Sequence, residues 1–159
     1  AEEFVNTTNL IRDAVENVAI TGDLIVGFPE ENELDFDNTV QLVSKLQFSN
    51  LHVFPYSKRP GTTAYYDKGQ ISQTIKRERV QRISKIVERD FASFRRKFIG
   101  TCRSVLWDTQ KTTEGLSLWK GITDNYIRVT TTSEINLRNT LTRTKLLSLE
   151  NDCVLSEIE

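Results

Sequence analysis

The chain has 159 residues, 38% of them hydrophobic, enough for one ordinary domain or for a fragment of one joined to a small second unit, and too many for a disordered tail. A net charge of -1 and a pI near 6.0 exclude a uniformly cationic nucleic-acid binder, so any such role must rest on a local patch. No apolar run reaches the roughly 20 residues of a membrane span, and the start AEEFVNTTNL lacks the basic and apolar regions of a secretory signal, so a cytoplasmic protein is expected.

Up to about Val18, an opening helix is predicted with Leu10, Ile11, Ala14, Val15 and Val18 on one stripe. Ile20 to Gly27 reads as a strand, and the continuous apolar run Leu24-Ile25-Val26 suggests one buried on both faces. Asn32, with Asp35 three residues on, predicts a capped helix whose buried stripe is Phe36, Val40, Val43 and Leu46. Leu51 to Tyr56 is a second strand. The polar loop Ser57-Lys-Arg-Pro-Gly-Thr62 follows, with turn chemistry at Pro60-Gly61. Strand, helix, strand in this order predicts a parallel βαβ unit.

Val80, Ile83, Val87, Phe91, Phe94 and Phe98 recur at intervals of three and four, which predicts a long helix from about Thr74 to Phe98, stopped at Gly100. Five short strands are then expected at Arg103 to Trp107, Gly115 to Trp119, Tyr126 to Thr130, Thr140 to Leu149 and Asp152 to Ile158. The expected architecture is therefore an α/β partial barrel over 1–97, including the connecting helix, followed over 98–159 by a small five-stranded antiparallel β-barrel of the OB kind.

Charge follows the same division. Residues 1–75 carry 5 basic and 11 acidic side chains, residues 76–97 carry 9 and 3, and residues 98–159 carry 7 and 8. Only the connecting helix is basic. Cys102 and Cys153 lack CxxC or CxxxCxxC spacing, so reduced structural thiols are expected and no metal ligand is nominated. His52, the single histidine, lies early in an apolar strand and reads as a packing residue, and Asp23 at a strand start reads as a structural hydrogen-bonding group. No Ser–His–Asp or paired-carboxylate constellation is present, so no catalytic residue is nominated.

Asp23-Leu-Ile-Val-Gly-Phe-Pro29, His52-Val-Phe-Pro-Tyr-Ser-Lys-Arg-Pro-Gly-Thr-Thr-Ala64 and Lys76-Arg-Glu-Arg79 together resemble the second half of the radical S-adenosylmethionine domain of tRNA methylthiotransferases. Val105-Leu106, Gly115, Gly121 and Thr123-Asp-Asn-Tyr-Ile127 are similar to the TRAM domain of that family. HVFPYS and TDNYI look most like the MtaB branch, which the resemblance links to 2-methylthiolation of N6-threonylcarbamoyladenosine at tRNA position 37. The isopentenyladenosine branch, MiaB-like, is the nearest alternative. Arg59-Pro60 stands where the branch acting on a ribosomal protein usually has acidic residues. One departure is Glu30, where the family normally has glycine.

The resemblance implies S-adenosylmethionine and two 4Fe-4S clusters in a full-length enzyme. It also implies that a piece lacking the cluster cysteines is inactive alone. Ile25, Gly27, Phe28, Phe54, Tyr56 and Arg59 are the implied cofactor contacts, with Gly27 letting backbone approach the ligand. Arg59 can clamp a carboxylate or a phosphate, or remain a solvated loop arginine. The tRNA anticodon loop is the implied partner. Arg59, Arg95, Arg96 and Lys97 are the candidate phosphate contacts, joined from the barrel by Trp119, Lys120, Tyr126 and Arg128, whose aromatic members either stack bases or build the core. A non-catalytic RNA-binding module is the competing reading from another class. The oligomeric state is not legible, although an open barrel edge exposes strand hydrogen bonds and apolar surface.

Overall fold

The computed structural model describes residues 1–113 and 116–159, with side chains described outside 112–116. The chain forms two compact units, Ala1–Phe91 and Ala92–Glu159. Its first unit holds α1 (Glu2–Ala14), β1 (Thr21–Val26), α2 (Glu33–Leu46), β2 (Asn50–Pro55), the short α3 (Thr63–Tyr66) and most of α4 (Gln73–Arg96).

β1 and β2 pair in parallel, from Thr21 opposite Asn50 to Val26 opposite Pro55, and α2 makes the connection. The predicted capping box opens α2. Asp35 N donates to Asn32 Oδ1 at 3.0 Å, and Asn32 N donates to Asp35 Oδ2 at 3.1 Å, so two otherwise orphaned amides are satisfied. At its other end Gln47 turns left-handed at φ 48°, and the Arg12 guanidinium donates to the Leu46 and Gln47 carbonyls, where the helix dipole favours a cation. Val26, Phe36, Val43, Leu46, Phe48, Leu51 and Ile83 build the core, with Val5 of α1 against it.

Three expectations change in this unit. α1 ends at Ala14, and the face it buries carries Val5 and Thr8, while Leu10 and Val15 of the expected stripe are exposed. β1 is covered on one face only. Gly22, Leu24 and Val26 point toward the helices, and Asp23 and Ile25 point away, Ile25 remaining 55% exposed. β2 obeys the same alternation, so His52 is exposed and stacks on Phe54 at 6.4 Å between ring centroids instead of packing in a core. A run of apolar residues in one strand does not by itself say that both faces are covered.

The second unit contains β3 (Cys102–Thr113), β4 (Leu116–Thr123), β5 (Arg128–Thr132), β6 (Leu141–Glu150) and β7 (Cys153–Ile158), closed in the order β3-β4-β5-β7-β6. Gly115, expected to start the second strand, lies outside the described residues. The barrel is mixed, where an antiparallel one was expected: β5 runs parallel to β7 through Val129 opposite Val154 and Thr130 opposite Leu155. A closed ring of five strands cannot alternate direction all the way round, so at least one neighbouring pair must be parallel. The β5-to-β6 connection crosses to the far side of β3, and β7 returns to close the ring, as in a Greek-key barrel.

Trp107, Trp119, Ile127, Val129, Leu146 and Val154 fill the barrel, with Phe98 and Phe94 against them. Gly121 sits opposite Trp107, and an added Cβ would come within 2.7 Å of the Leu106 carbonyl oxygen, Trp107 Cε3 and Val105 Cγ1. Close approach, rather than backbone freedom, is what calls for glycine there. Tyr126, expected within a strand, lies in the β4–β5 turn at φ 64°, and the strand begins at Arg128.

Candidate functional site

The carboxyl ends of β1 and β2 supply the walls of a cavity of about 640 Å³. Five of the six residues nominated for cofactor contact converge there: Ile25 from β1, Phe28 just past it, and Phe54, Tyr56 and Arg59 from β2 and its loop. Crevices outside the carboxyl ends of parallel strands are where α/β sheets present ligand contacts. Ile25, Phe28 and Phe54 are each about half exposed, so apolar surface is offered to a ligand and not consumed by packing. Phe28 meets the Tyr56 ring edge-on at 5.0 Å between centroids. Thr62 and Ala64 also line the cavity, although neither is among the residues nominated from the sequence.

Gly27, the sixth residue, lies beneath the wall. Its φ of 72° is left-handed, and a Cβ there would come within 2.5 Å of Lys76 Cγ, so both conformation and space require glycine. The Arg59 loop is a turn in which Thr62 N and Oγ1 both donate to the Arg59 carbonyl, at 3.3 and 2.9 Å. Pro60 and Gly61 occupy the central positions, and Gly61 at φ 86° suits the third residue of a type II turn. This places Arg59 exposed at the rim.

The basic helix is less open than its composition suggests. Lys76 and Arg79 are 3% and 4% exposed, and Arg95 is 5% exposed with its Nη1 donating to the Asn151 carbonyl at 3.1 Å. Burial lowers the affinity of the Arg95 guanidinium for its proton relative to its ordinary value, partly offset by Asp152. Arg79 bonds Glu31 at 2.5 Å and Glu33 at 2.6 Å. Burial opposes its charge too, but Glu33 and Glu31 outweigh that and hold it above the ordinary arginine range. Arg96 and Lys97 are exposed.

On the barrel, Trp119 is 1% exposed and has no ring face to offer a base, which removes it from the candidate RNA contacts, as burial removes Arg95. Lys120 and Arg128 are exposed and line one cleft of about 330 Å³ on β4 and β5, beside Asp108 and Cys153. Tyr126 is 71% exposed. The turn that carries it is built around Thr123, whose hydroxyl donates to Asn125 Oδ1 at 2.7 Å and accepts from Ile127 N at 2.9 Å. The Thr-Asp-Asn-Tyr-Ile string is therefore a self-bonded turn that pushes tyrosine outward. Among the described residues no group of three or more His, Cys, Asp or Glu side chains could hold a metal ion, and no helix is long and apolar enough to cross a membrane.

No protein-family model matches the chain. Among curated proteins, the tRNA-2-methylthio-N(6)-dimethylallyladenosine synthase of Ehrlichia canis is 39% identical over 111 residues, covering 70% of this chain and 25% of that protein. Threonylcarbamoyladenosine tRNA methylthiotransferase MtaB of Bacillus subtilis is 32% identical over 147 residues, covering 92% of this chain and 33% of that protein. The chain belongs to the tRNA methylthiotransferase family. It spans about a quarter to a third of the length of these relatives. The dimethylallyladenosine synthase of Aquifex aeolicus, 34% identical over 71% of the chain, agrees. Within this tRNA methylthiotransferase segment the strand-end cavity and the barrel cleft are two places where exposed, ligand-capable side chains gather.

Proposed function

We propose that the chain is part of a radical S-adenosylmethionine enzyme that adds a 2-methylthio group to N6-threonylcarbamoyladenosine at position 37 of tRNA. The observation that carries this reading is the strand-end cavity, where Ile25, Phe28, Phe54 and Tyr56 of the family-like motifs form one wall with the Arg59 guanidinium at its rim. The residues fit the cofactor chemically. Ile25, Phe28 and Phe54 offer flat apolar surface for an adenosine, and Arg59 offers a forked donor for a carboxylate. When bound, S-adenosylmethionine would supply the methyl group and the radical chemistry. The described residues of this chain do not fit the two 4Fe-4S clusters, having no cysteine set to hold either one, so the segment alone is expected to be inactive.

In the same reading the tRNA anticodon loop meets Arg59, Arg96 and Lys97, and the barrel acts as a TRAM domain through Lys120, Tyr126 and Arg128. Exposed cations contribute sequence-independent phosphate attraction, and an outward tyrosine can stack an unpaired base. A cytoplasmic location follows from tRNA as substrate. The choice of modified adenosine is supported by the relative named for threonylcarbamoyladenosine, whose similarity extends over 92% of the chain. The dimethylallyladenosine relatives are more identical over a shorter stretch and define the second reading. Mass spectrometry of tRNA modified by the parent protein with reconstituted clusters separates the two. The threonylcarbamoyl product is expected, the dimethylallyl product would support the second reading, and no methylthio product on either would defeat the assignment.

A further inference from the structure

The motif Lys76-Arg-Glu-Arg79 opens the basic helix, yet its first and last residues face inward beneath the strand-end cavity. Lys76 lays its alkyl stem against Gly27 and donates from Nζ to the Tyr56 carbonyl at 3.0 Å, with the ammonium 5.0 Å from the Tyr56 ring centroid. Arg79, one turn on, donates from Nη1 to both the backbone carbonyl and the carboxylate of Glu31, at 2.9 and 2.5 Å. That carboxylate also accepts from Gly27 N, at 2.5 Å. The end of β1 and the end of β2 are thus held by two cations on one helix face. We infer that Lys76 and Arg79 are positioning residues for the cofactor wall and make no contact with RNA.

The chemistry supports this over a phosphate grip. A phosphate contact needs an exposed donor, whereas these groups are more than nine-tenths buried and already bonded. A lysine held by a carbonyl and a ring face fixes where Tyr56 stands, and Tyr56 in turn carries Phe28 edge-on. Loosening either tie displaces the surface that a ligand must meet, which weakens binding without removing a ligand contact.

This inference rests on the proposed cofactor role, so the test begins with calorimetric binding of S-adenosylhomocysteine to the parent protein. Lys76→Met keeps the stem and removes the donor, and Arg79→Lys keeps the charge and removes the fork. Both are expected to weaken S-adenosylhomocysteine binding about tenfold, to raise KM for the cofactor more than they lower kcat, and to leave tRNA affinity and its salt dependence unchanged. Wild type that fails to bind S-adenosylhomocysteine would defeat the proposed function and this inference with it. Wild-type binding with unchanged variants would defeat the inference alone, as would a loss of tRNA affinity with a salt slope lowered by about one. Acetylation footprinting of the wild type keeps the question open to refutation even where a variant does not fold. Lys76 is expected to stay unmodified with or without tRNA, and free modification that tRNA suppresses would overturn the inference.

Discussion

The two units solve the edge problem of a β-sheet in opposite ways. In the second, five strands close on themselves and enclose Trp107 and Trp119, so every strand is paired and the largest rings have no outward role. In the first, two strands are covered by helices on one face, and the other face presents Ile25, His52 and Phe54. Closure supplies stability from within, while openness leaves apolar surface for something else to cover. The same residue type therefore means different things in the two units, and the candidate cofactor wall is found where packing was left incomplete.

Aromatic truncation exposes this contrast most strongly. Trp107 is fully buried and donates from Nε1 to Thr142 Oγ1 at 2.8 Å. Trp107→Ala is expected to cost about 3–5 kcal/mol through the cavity it leaves, whereas Phe54→Ala at a half-exposed position is expected to cost less than about 1 kcal/mol. Denaturant melts of the two variants check the pair. Equal losses would mean that the open face of β1 and β2 is a packed surface and would remove the distinction.

Much of this was legible. The α2 capping box, the βαβ order and the turn at Pro60-Gly61 follow from local chemistry that acts within four or five residues, and each is present. What was not legible depended on partners far along the chain. The buried face of α1 could not be chosen without knowing that Arg12 reaches the end of α2. The inward turn of Lys76 and Arg79 was hidden because charge counting treats every cation on a helix as solvated. That some neighbouring pair would be parallel could have been foreseen, since an odd closed ring forces at least one, though not that it would be β5 and β7.

A smaller effect separates the exposed cations of the barrel from the enclosed Arg95 of α4. Arg128→Ala and Lys120→Ala are each expected to weaken tRNA binding by the parent protein a few-fold and to lower the salt slope by roughly one. Arg95, bonded to the Asn151 carbonyl, should leave that slope unchanged in an Arg95→Gln variant and instead lower the thermal midpoint. A reversal of these two outcomes would place the phosphate contacts on the buried side of the helix and contradict the burial pattern.

Glu30 offers a test of backbone strain in the first unit. It holds φ at 67°, a left-handed conformation that strains any residue with a Cβ, and its amide donates to the Gly69 carbonyl at 2.8 Å. Glu30→Gly relieves that strain but loosens the unfolded chain, so a net gain of about 0–1 kcal/mol is expected. A Cβ on Gly69 would overlap Glu30 Cγ. Gly69→Ala should therefore be destabilising in the parent background and better tolerated beside Glu30→Gly, and a double-mutant cycle with no coupling would show the two sites to be independent.

The smallest effect is chemical and lies in the closed unit. Cys102 donates from Sγ to Glu159 Oε1 at 2.8 Å, and Arg143 Nε donates to Glu159 Oε2 at 2.7 Å. The bond to Glu159 pushes the Cys102 thiol above its ordinary range, while the same bond and Arg143 hold the Glu159 carboxyl below its own. A depressed carboxyl contributes stability above its unfolded-state value and loses it as pH falls through the acidic range, but this one is solvent-exposed, so the contribution is screened. Reactivity is the sharper readout, because the thiolate is the nucleophile. Glu159→Gln removes the negative charge beside the sulfur and is expected to speed iodoacetamide labelling of Cys102 at mildly alkaline pH with little change in the thermal midpoint. Labelling at an unchanged rate would show that the carboxylate does not govern the thiol.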